Sequence, residues 1–291
     1  MNLEQLRALL AIVDEGSFEG AAHTLGVSAS AVSQRIRALE RTVGQVVVRR
    51  GSPCVPTDAG TALVRMARHV QVLEEEAWAR LGRQASGRSV TALAVPADAL
   101  GTWFQPVVRN AAAWHDTVLD LHVEDQDHSA QLLRRGEVLA AVTTEPVPVP
   151  GCEAEPLGHM RYVPVAAPAL LERHRRAGAV DLAAMPMMRF NVKDDLQGIV
   201  LRSAGVATAP PTHTAPSFDA FQRCVEAGLG WGMLVDHQAR EGLRDGGLVR
   251  LPGVDDVLLP LHWQAATLPS PRLLRLTAAV RAAAHRGLEP P

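Results

Sequence analysis

Residues Ser28 to Val43, SASAVSQRIRALERTV, decide how the rest of this 291-residue chain is read. Wound as a helix, the stretch brings Val32, Ile36, Leu39 and Val43 into one stripe at spacings of four, three and four, and such a stripe must face a core. The opposite face then carries Ser30, Gln34, Arg37 and Arg41, with Ser33 on its flank. Hydroxyl, amide and guanidinium groups are those that hydrogen-bond base edges and phosphates in a DNA major groove. Three short amphipathic helices would also suit a plain structural bundle. No acid stands among these outward positions, however, whereas a face that meets only water usually carries some.

On the N-terminal side, Leu6, Leu9, Leu10 and Val13 predict a first helix that Gly16 ends, and Phe18 to Leu25 a second. Gly26 supplies a turn and Ser28 an N-cap, which completes a helix-turn-helix. On the C-terminal side, QVVVRRGSPCVP (45–56) reads as a short strand pair, a wing with Arg49 and Arg50 at its tip for flanking phosphates. The expected DNA contacts are therefore Ser28, Ser30, Ser33, Gln34, Arg35, Arg37, Arg41, Arg49 and Arg50. Five arginines fall between positions 35 and 50 against one acid, Glu40, while the whole chain carries a formal charge of only -2. Attraction to DNA must be local.

These residues carry a family resemblance. Ala21-Ala22 before the turn, Ser30 to Ile36 in the third helix and Pro56 to Gly60 after the wing resemble the winged helix-turn-helix of LysR-type transcriptional regulators. Many members have Gln where Ala29 stands here, so the resemblance puts base reading on Ser30, Ser33, Gln34 and Arg37.

A long helix is expected from Thr57 to about Gln84. Ala59, Leu63, Met66, Val70, Leu73 and Ala77 form a heptad seam on it, with Glu74-Glu75-Glu76 on the other side. A seam of this kind asks for a second chain, and the resemblance implies a homodimer, and a tetramer built from dimers, that presents two reading helices to one pseudo-palindromic site on double-stranded DNA. RNA polymerase is a further candidate partner. QASGR (84–88) marks a boundary.

From Ser89 onward strands alternate with helices. Apolar runs at 90–95, 118–123 and 138–142 flank helical stretches near 100–114 and 128–135, which predicts βαβ units and a mostly parallel sheet. A Pro-rich crossing, EPVPVPG (145–151), leads to further strands at 161–166, 187–190 and 231–235 and a helix at 217–229. A strand at 259–265 and a last helix at 271–285 return to the first part. The fold class expected is α/β with an all-α N-terminal part: winged helix-turn-helix (1–60), dimerisation linker helix (57–88) and a two-lobed, periplasmic-binding-protein-like effector domain (89–291). Lobe I takes about 89–146 and 256–291, and lobe II about 147–255.

Small molecules bind such domains at the carboxyl ends of strands. After the first strand, Ala97, Asp98, Ala99, Leu100 and Trp103 open a helix whose first N–H groups suit a carboxylate. Glu124, Asp125 and Asp127 follow the second strand, Thr143 and Thr144 the third, and Asp194 and Asp195 approach from the other lobe. An anion site beside several acids asks for an amino acid with a cationic side chain. Any single loop acid is more often a cap or a solvated group, and the weight lies with the cluster.

The segments 97–103, 123–134 (VEDQDHSAQLLR), 136–143 and 228–232 (GLGWG) resemble the LysR branch usually called LysG or ArgP, which controls export of lysine and arginine and has chromosome-initiation-inhibitor-like members. The resemblance implies L-lysine or L-arginine as effector and activation of an exporter gene. Pro96 and Ala99 stand where close relatives often have Asn and Ser. The alternative is an architectural or replication-inhibiting DNA-binding protein without effector dependence.

No GxSxG, P-loop, HExxH or strand-linked GxGxxG occurs, so neither an enzyme nor a cofactor is expected. His115, His122 and His128 lack metal-ligand spacing, and no metal is expected. Cys54, Cys152 and Cys224 lie far apart, which fits a reducing cytoplasm rather than a disulfide framework. Cys54, in the wing, is the cysteine considered for redox sensing. The amino terminus lacks the pattern of a secretion signal, no run of eighteen apolar residues occurs, and no membrane partner is expected. Lys193 is the only lysine, a bias ascribed to codon usage and given no function.

Overall fold

The structure, a computed structural model, describes residues 1–81, 89–124, 129–176 and 179–291. Local periodicity governs the first sixty residues. Helices α1 (Leu3–Glu15), α2 (Phe18–Leu25) and α3 (Ala29–Val43) are capped at their starts by Asn2, Ser17 and Ser28. Each stops at a glycine in the left-handed region, Gly16, Gly26 and Gly44 at φ 67°, 64° and 75°, where a Cβ would strain the backbone. Their inner faces enclose Leu9, Ile12, Ala21, Val32, Ile36 and Leu39, and Val47, Val48 and Val64 close the cluster. Strands β1 (Val48–Arg49) and β2 (Val55–Pro56) form the antiparallel wing, with Arg49 opposite Val55.

Helix α4 (Asp58–Arg80) starts at Thr57, whose hydroxyl accepts from the Gly60 N–H. A Cβ on Gly60 would stand 1.9 Å from the Val47 carbonyl oxygen, so only glycine lets α4 leave this close to the wing. The rest of the expected helix and the QASGR boundary lie outside the described residues. The seam is divided: Leu63 packs on the helix-turn-helix core, whereas Met66 is 42% and Leu73 38% exposed; Gly60, Val64, Ala67 and Glu76, on another face, are buried. The acidic run on the other side of the helix is paired within the chain. Glu74 pairs with Arg7 of α1, and Glu75 and Glu76 pair with Arg272 near the C-terminus. Halfway along, Arg68 donates from Nη2 to Asp14 of α1 (2.7 Å) and from Nη1 to the Gly136 carbonyl (2.6 Å). At Gly136, φ 68°, a Cβ would meet the Arg65 backbone at 2.6 Å.

The remaining chain begins with β3 (Ser89–Ala94), α5 (Ala97–Gly101), α6 (Gln105–Ala111), β4 (Thr117–His122), α7 (Ser129–Arg135) and β5 (Ala140–Thr143). The single helix expected near 100–114 is split in two, because Thr102 leaves helical backbone at φ -122°, ψ -103°. Next come β6 (Cys152–Ala166), α8 (Pro168–Arg173), a minimal ladder of β7 (Arg175–Arg176) and β8 (Ala179–Val180), and β9 (Met187–Arg189). After these follow α9 (Leu196–Ser203), β10 (Thr212–Thr214), α10 (Phe218–Glu226), β11 (Gly232–Val235), α11 (Asp236–Asp245), β12 (Val249–Arg250), β13 (Val257–Ala266) and α12 (Pro271–Gly287).

One sheet runs in the order β11-β6-β13-β5-β3-β4, with β12 also on β6. The expectation of a mostly parallel sheet is corrected. Strand β3 is parallel to β4 and β5, as βαβ units require, but β13 is antiparallel to β5 and β6, and β6 is antiparallel to β11 and β12. The chain leaves the first half of the sheet through β6 and returns through β13. A path out and a path back that lie side by side must oppose each other. The pair is irregular only at Leu261/His262. The main core lies under this sheet, with Trp231, Trp263, Tyr162 and Phe104 fully buried.

Candidate DNA interface and effector pocket

On α3, Ser30, Gln34, Arg37 and Arg41 are exposed and Ser33 is half-buried. Gln34, Arg37 and Arg41 line a concave surface with Gln45 and Val46 from the turn after the helix. Ser28 accepts from the Ala31 N–H at 3.2 Å and shares a hydrogen bond with the Ser30 hydroxyl at 2.9 Å, so it acts through the helix start. Arg35 departs from its expected outward role: its Nη2 lies 2.8 Å from a Glu4 carboxylate oxygen, which ties α3 to α1. On the wing, Arg49 is exposed. The Arg50 guanidinium stacks on the Phe18 ring at 4.7 Å from its centroid, which holds it against α2. Cys54 is 7% exposed, a packed thiol beneath the wing.

A pocket of about 160 Å³ opens where the end of β3 faces the β9–α9 connection. One wall is Pro96, Ala97 and Asp98, and the other is Phe190, Lys193, Asp194, Asp195 and Leu196; Phe218, Phe221 and Gln238 complete it. The Asp98 carboxylate accepts from the hydroxyl of Tyr162, a residue of β6 that is 1% exposed, at 2.8 Å. A buried phenol thus fixes the direction of a carboxylate at the pocket edge. Gly101 makes the closure possible, since a Cβ there would sit 2.7 Å from the Phe218 ring.

The expected effector residues divide. Ala97 and Asp98 line the pocket, but Ala99 is wholly buried, Trp103 is 5% exposed and Leu100 packs on the same core, so these three anchor α5 instead. Thr143 is also wholly buried, and its hydroxyl accepts from the Glu145 N–H at 3.1 Å; neither it nor Thr144 lines the pocket. Asp194 accepts from the N–H groups of Phe190 (2.9 Å) and Leu196 (3.1 Å), which fixes the β9–α9 connection around it. Asp195 is gripped by Arg202, whose hydrogen bonds hold its carboxyl below the usual range. Glu124 does not line the pocket but receives Lys193 Nζ, from the pocket wall, at 3.2 Å. Asp125 and Asp127 lie outside the described residues.

Sequence reasoning missed Tyr162, the aromatic wall and Gln238. They come from β6, the β9–α9 connection, α10 and α11, brought together by a fold that pairs distant strands. One local signal was present: Ser217 accepts from the Ala220 N–H as an N-cap and so places Phe218 in a first helical turn. Among the described residues no cluster of His, Cys, Asp and Glu could hold a metal ion, and no helix is long and apolar enough to cross a membrane.

One chain that joins a DNA-reading domain to a ligand pocket defines the class of effector-responsive transcriptional regulators. Residues 3–61 match the profile of bacterial regulatory helix-turn-helix proteins of the lysR family, and residues 84–289 match the LysR substrate binding domain. The chain belongs to the LysR family. It is 46% identical over 284 residues to the HTH-type transcriptional regulator LysG of Mycobacterium tuberculosis, covering 96% of this chain and 92% of that one. It is 44% identical to the lysine export transcriptional regulatory protein LysG of Corynebacterium glutamicum, with 100% of both chains covered. Full-length LysG of Corynebacterium glutamicum with bound effector Arg superposes with a TM-score of 0.87 at 44% identity, again covering 100% of both chains.

Proposed function

We propose that this regulator senses a basic amino acid, L-arginine or L-lysine, in the pocket beside Asp98, and controls transcription of a basic amino-acid exporter gene. The observation that carries the reading is the carboxylate of Asp98, aimed by buried Tyr162 at a pocket with aromatic walls. Asp98 in the pocket wall, with Glu124 beside it next to the pocket residue Lys193, receives the effector's cationic groups, Phe190 and Phe218 cover its aliphatic stem, and the N–H groups at the start of α5, which no side chain caps, meet its carboxylate. LysG of Corynebacterium glutamicum, whose structure holds arginine as effector and whose name gives lysine export, supports this choice.

Residues 1–60 read DNA through Ser30, Ser33, Gln34 and Arg37, with Arg41, Arg49 and Arg50 on phosphates. The exposed seam of α4 pairs two chains, and dimers pair into a tetramer in the cytoplasm. Residues 89–291 form two lobes whose closure on the effector changes how the DNA half-sites are spaced. The protein acts by binding and not by catalysis. A DNA-coating role without an effector leaves the Tyr162-oriented carboxylate without a purpose.

Calorimetry on the full-length protein with arginine, lysine and leucine tests this. Binding of a basic amino acid and no binding of leucine is expected; no heat with either basic amino acid rejects the effector reading.

A further inference from the structure

The chain's single lysine, Lys193, sits in the wall of the pocket between Phe190 and Asp194, on the connection from β9 to α9. Its ammonium lies 3.2 Å from an oxygen of Glu124, which follows β4, lies 69 positions earlier and stands next to the pocket without lining it. The group at this pocket edge is therefore chemically the end of a lysine side chain, a cation of the kind that a basic amino acid would present. Glu124 has one carboxylate, and two cations cannot take the same oxygens.

We propose that Lys193 is a tethered competitor that occupies the Glu124 carboxylate in the effector-free protein, so that a basic amino acid binds by exchange and Lys193 sets the concentration at which the regulator responds. This rests on the effector reading given above. Exchange conserves the number of cations at Glu124, so the net gain on binding is less than that of filling an unpaired acid. The side chains of Lys193 and Glu124 are 40% and 36% exposed, so the pair is screened by water and its grip is modest. The expected penalty on effector affinity is about two- to fivefold. It falls equally on arginine and lysine, because it arises in the protein before either arrives. Such a device suits a system that should act only when its ligand is in excess.

The test is calorimetric titration of the full-length protein with arginine and with lysine, in wild type, Lys193→Gln, Lys193→Met, Glu124→Gln and the double variant Lys193→Gln/Glu124→Gln. Both side chains are partly exposed, so the variants are expected to fold, and thermal unfolding checks this. Lys193→Gln and Lys193→Met should each tighten binding of both ligands by about two- to fivefold and steepen its salt dependence. In the Glu124→Gln background the Lys193→Gln change should no longer tighten binding, a coupling that a merely structural lysine would not show. Unchanged or weaker binding in Lys193→Gln overturns the proposal while leaving the effector reading intact. Equal tightening with and without Glu124 also overturns it. Failure of the wild type to bind either amino acid rejects the effector reading, and the tethered competitor with it.

Discussion

Glu76, on the linker helix, and Arg272, in the first turn of the last helix, form a buried ion pair: Nε and Oε1 are 2.9 Å apart and each side chain is 10% exposed. Ser270 donates to the same oxygen. Removing Glu76 leaves the buried Arg272 guanidinium with only its longer contact to Glu75, 3.3 Å, at a cost of up to about 3 kcal/mol. Glu76→Ala should lower the stability read by urea unfolding by that order, and replacing Arg272 with Met in the same chain should restore part of it. Burial by itself would raise the Glu76 carboxyl pKa, but the hydrogen bonds from Ser270 and Arg272 and the charge of Arg272 outweigh it and hold the group below its ordinary value. A lowered folded-state pKa means that the stabilisation is fully present above about pH 4.3 and is lost as pH falls through the lowered value. Glu76→Gln should flatten the stability profile in that acid window.

Gln34 and Arg49 separate two kinds of DNA contact. Gln34→Ala should cost about 1–3 kcal/mol at the specific operator and relax its sequence preference, with non-specific binding little changed. Arg49→Ala should weaken all sequences alike and reduce the salt slope by about 1. Fluorescence anisotropy at several salt concentrations distinguishes them. Unaltered preference in Gln34→Ala would remove α3 as the reader.

Met66 and Leu73 lie exposed on the same seam of α4. A charge placed there is harmless to one chain and costly to a helix pair. Leu73→Asp should therefore give a folded protein that sediments as a monomer and binds a palindromic operator at least tenfold more weakly. A dimer of normal stability would show that the seam is not the contact.

Gly101→Ala puts a methyl group 2.7 Å from the Phe218 ring and forces that ring aside. Overpacking of this sort costs about 1–3 kcal/mol. Because Phe218 lines the pocket, arginine affinity should fall about tenfold in calorimetry while the thermal midpoint of the DNA-binding part stays put.

The helix-turn-helix was legible because every determinant is local: Val32, Ile36 and Leu39 lie within two turns of one another, and the capping serine and stopping glycines adjoin the helices they bound. The long strand β6 was legible only at its end, 161–166. Its first half, CEAEPLGHM, alternates poorly and holds Pro156 and Gly158, and only β13, about a hundred positions later, gives it a partner. The pocket was half legible. Asp98 sits at a strand end that pattern can locate, whereas Tyr162 reaches it from 64 positions away. The acids were legible as a group but not in their partners: Asp194 and Asp195 do line the pocket, yet their bonds to backbone N–H groups and to Arg202, and those of Glu76 to Ser270 and Arg272, arise from the fold. Lys193, set aside as a codon bias, lies in the pocket wall.

Arg68 holds Asp14 of the DNA-reading domain with one nitrogen and the Gly136 carbonyl of the effector domain with another. A single side chain on α4 is thus a strut braced at both ends, and the turn after α7 cannot shift without either dragging α1 or breaking a bond. The strut is one of several braces along α4, beside the pairs of Glu74 with Arg7 and of Glu75 and Glu76 with Arg272, so the linker helix is held to the DNA-reading part on one side and to the effector part on the other like a beam pinned along its length.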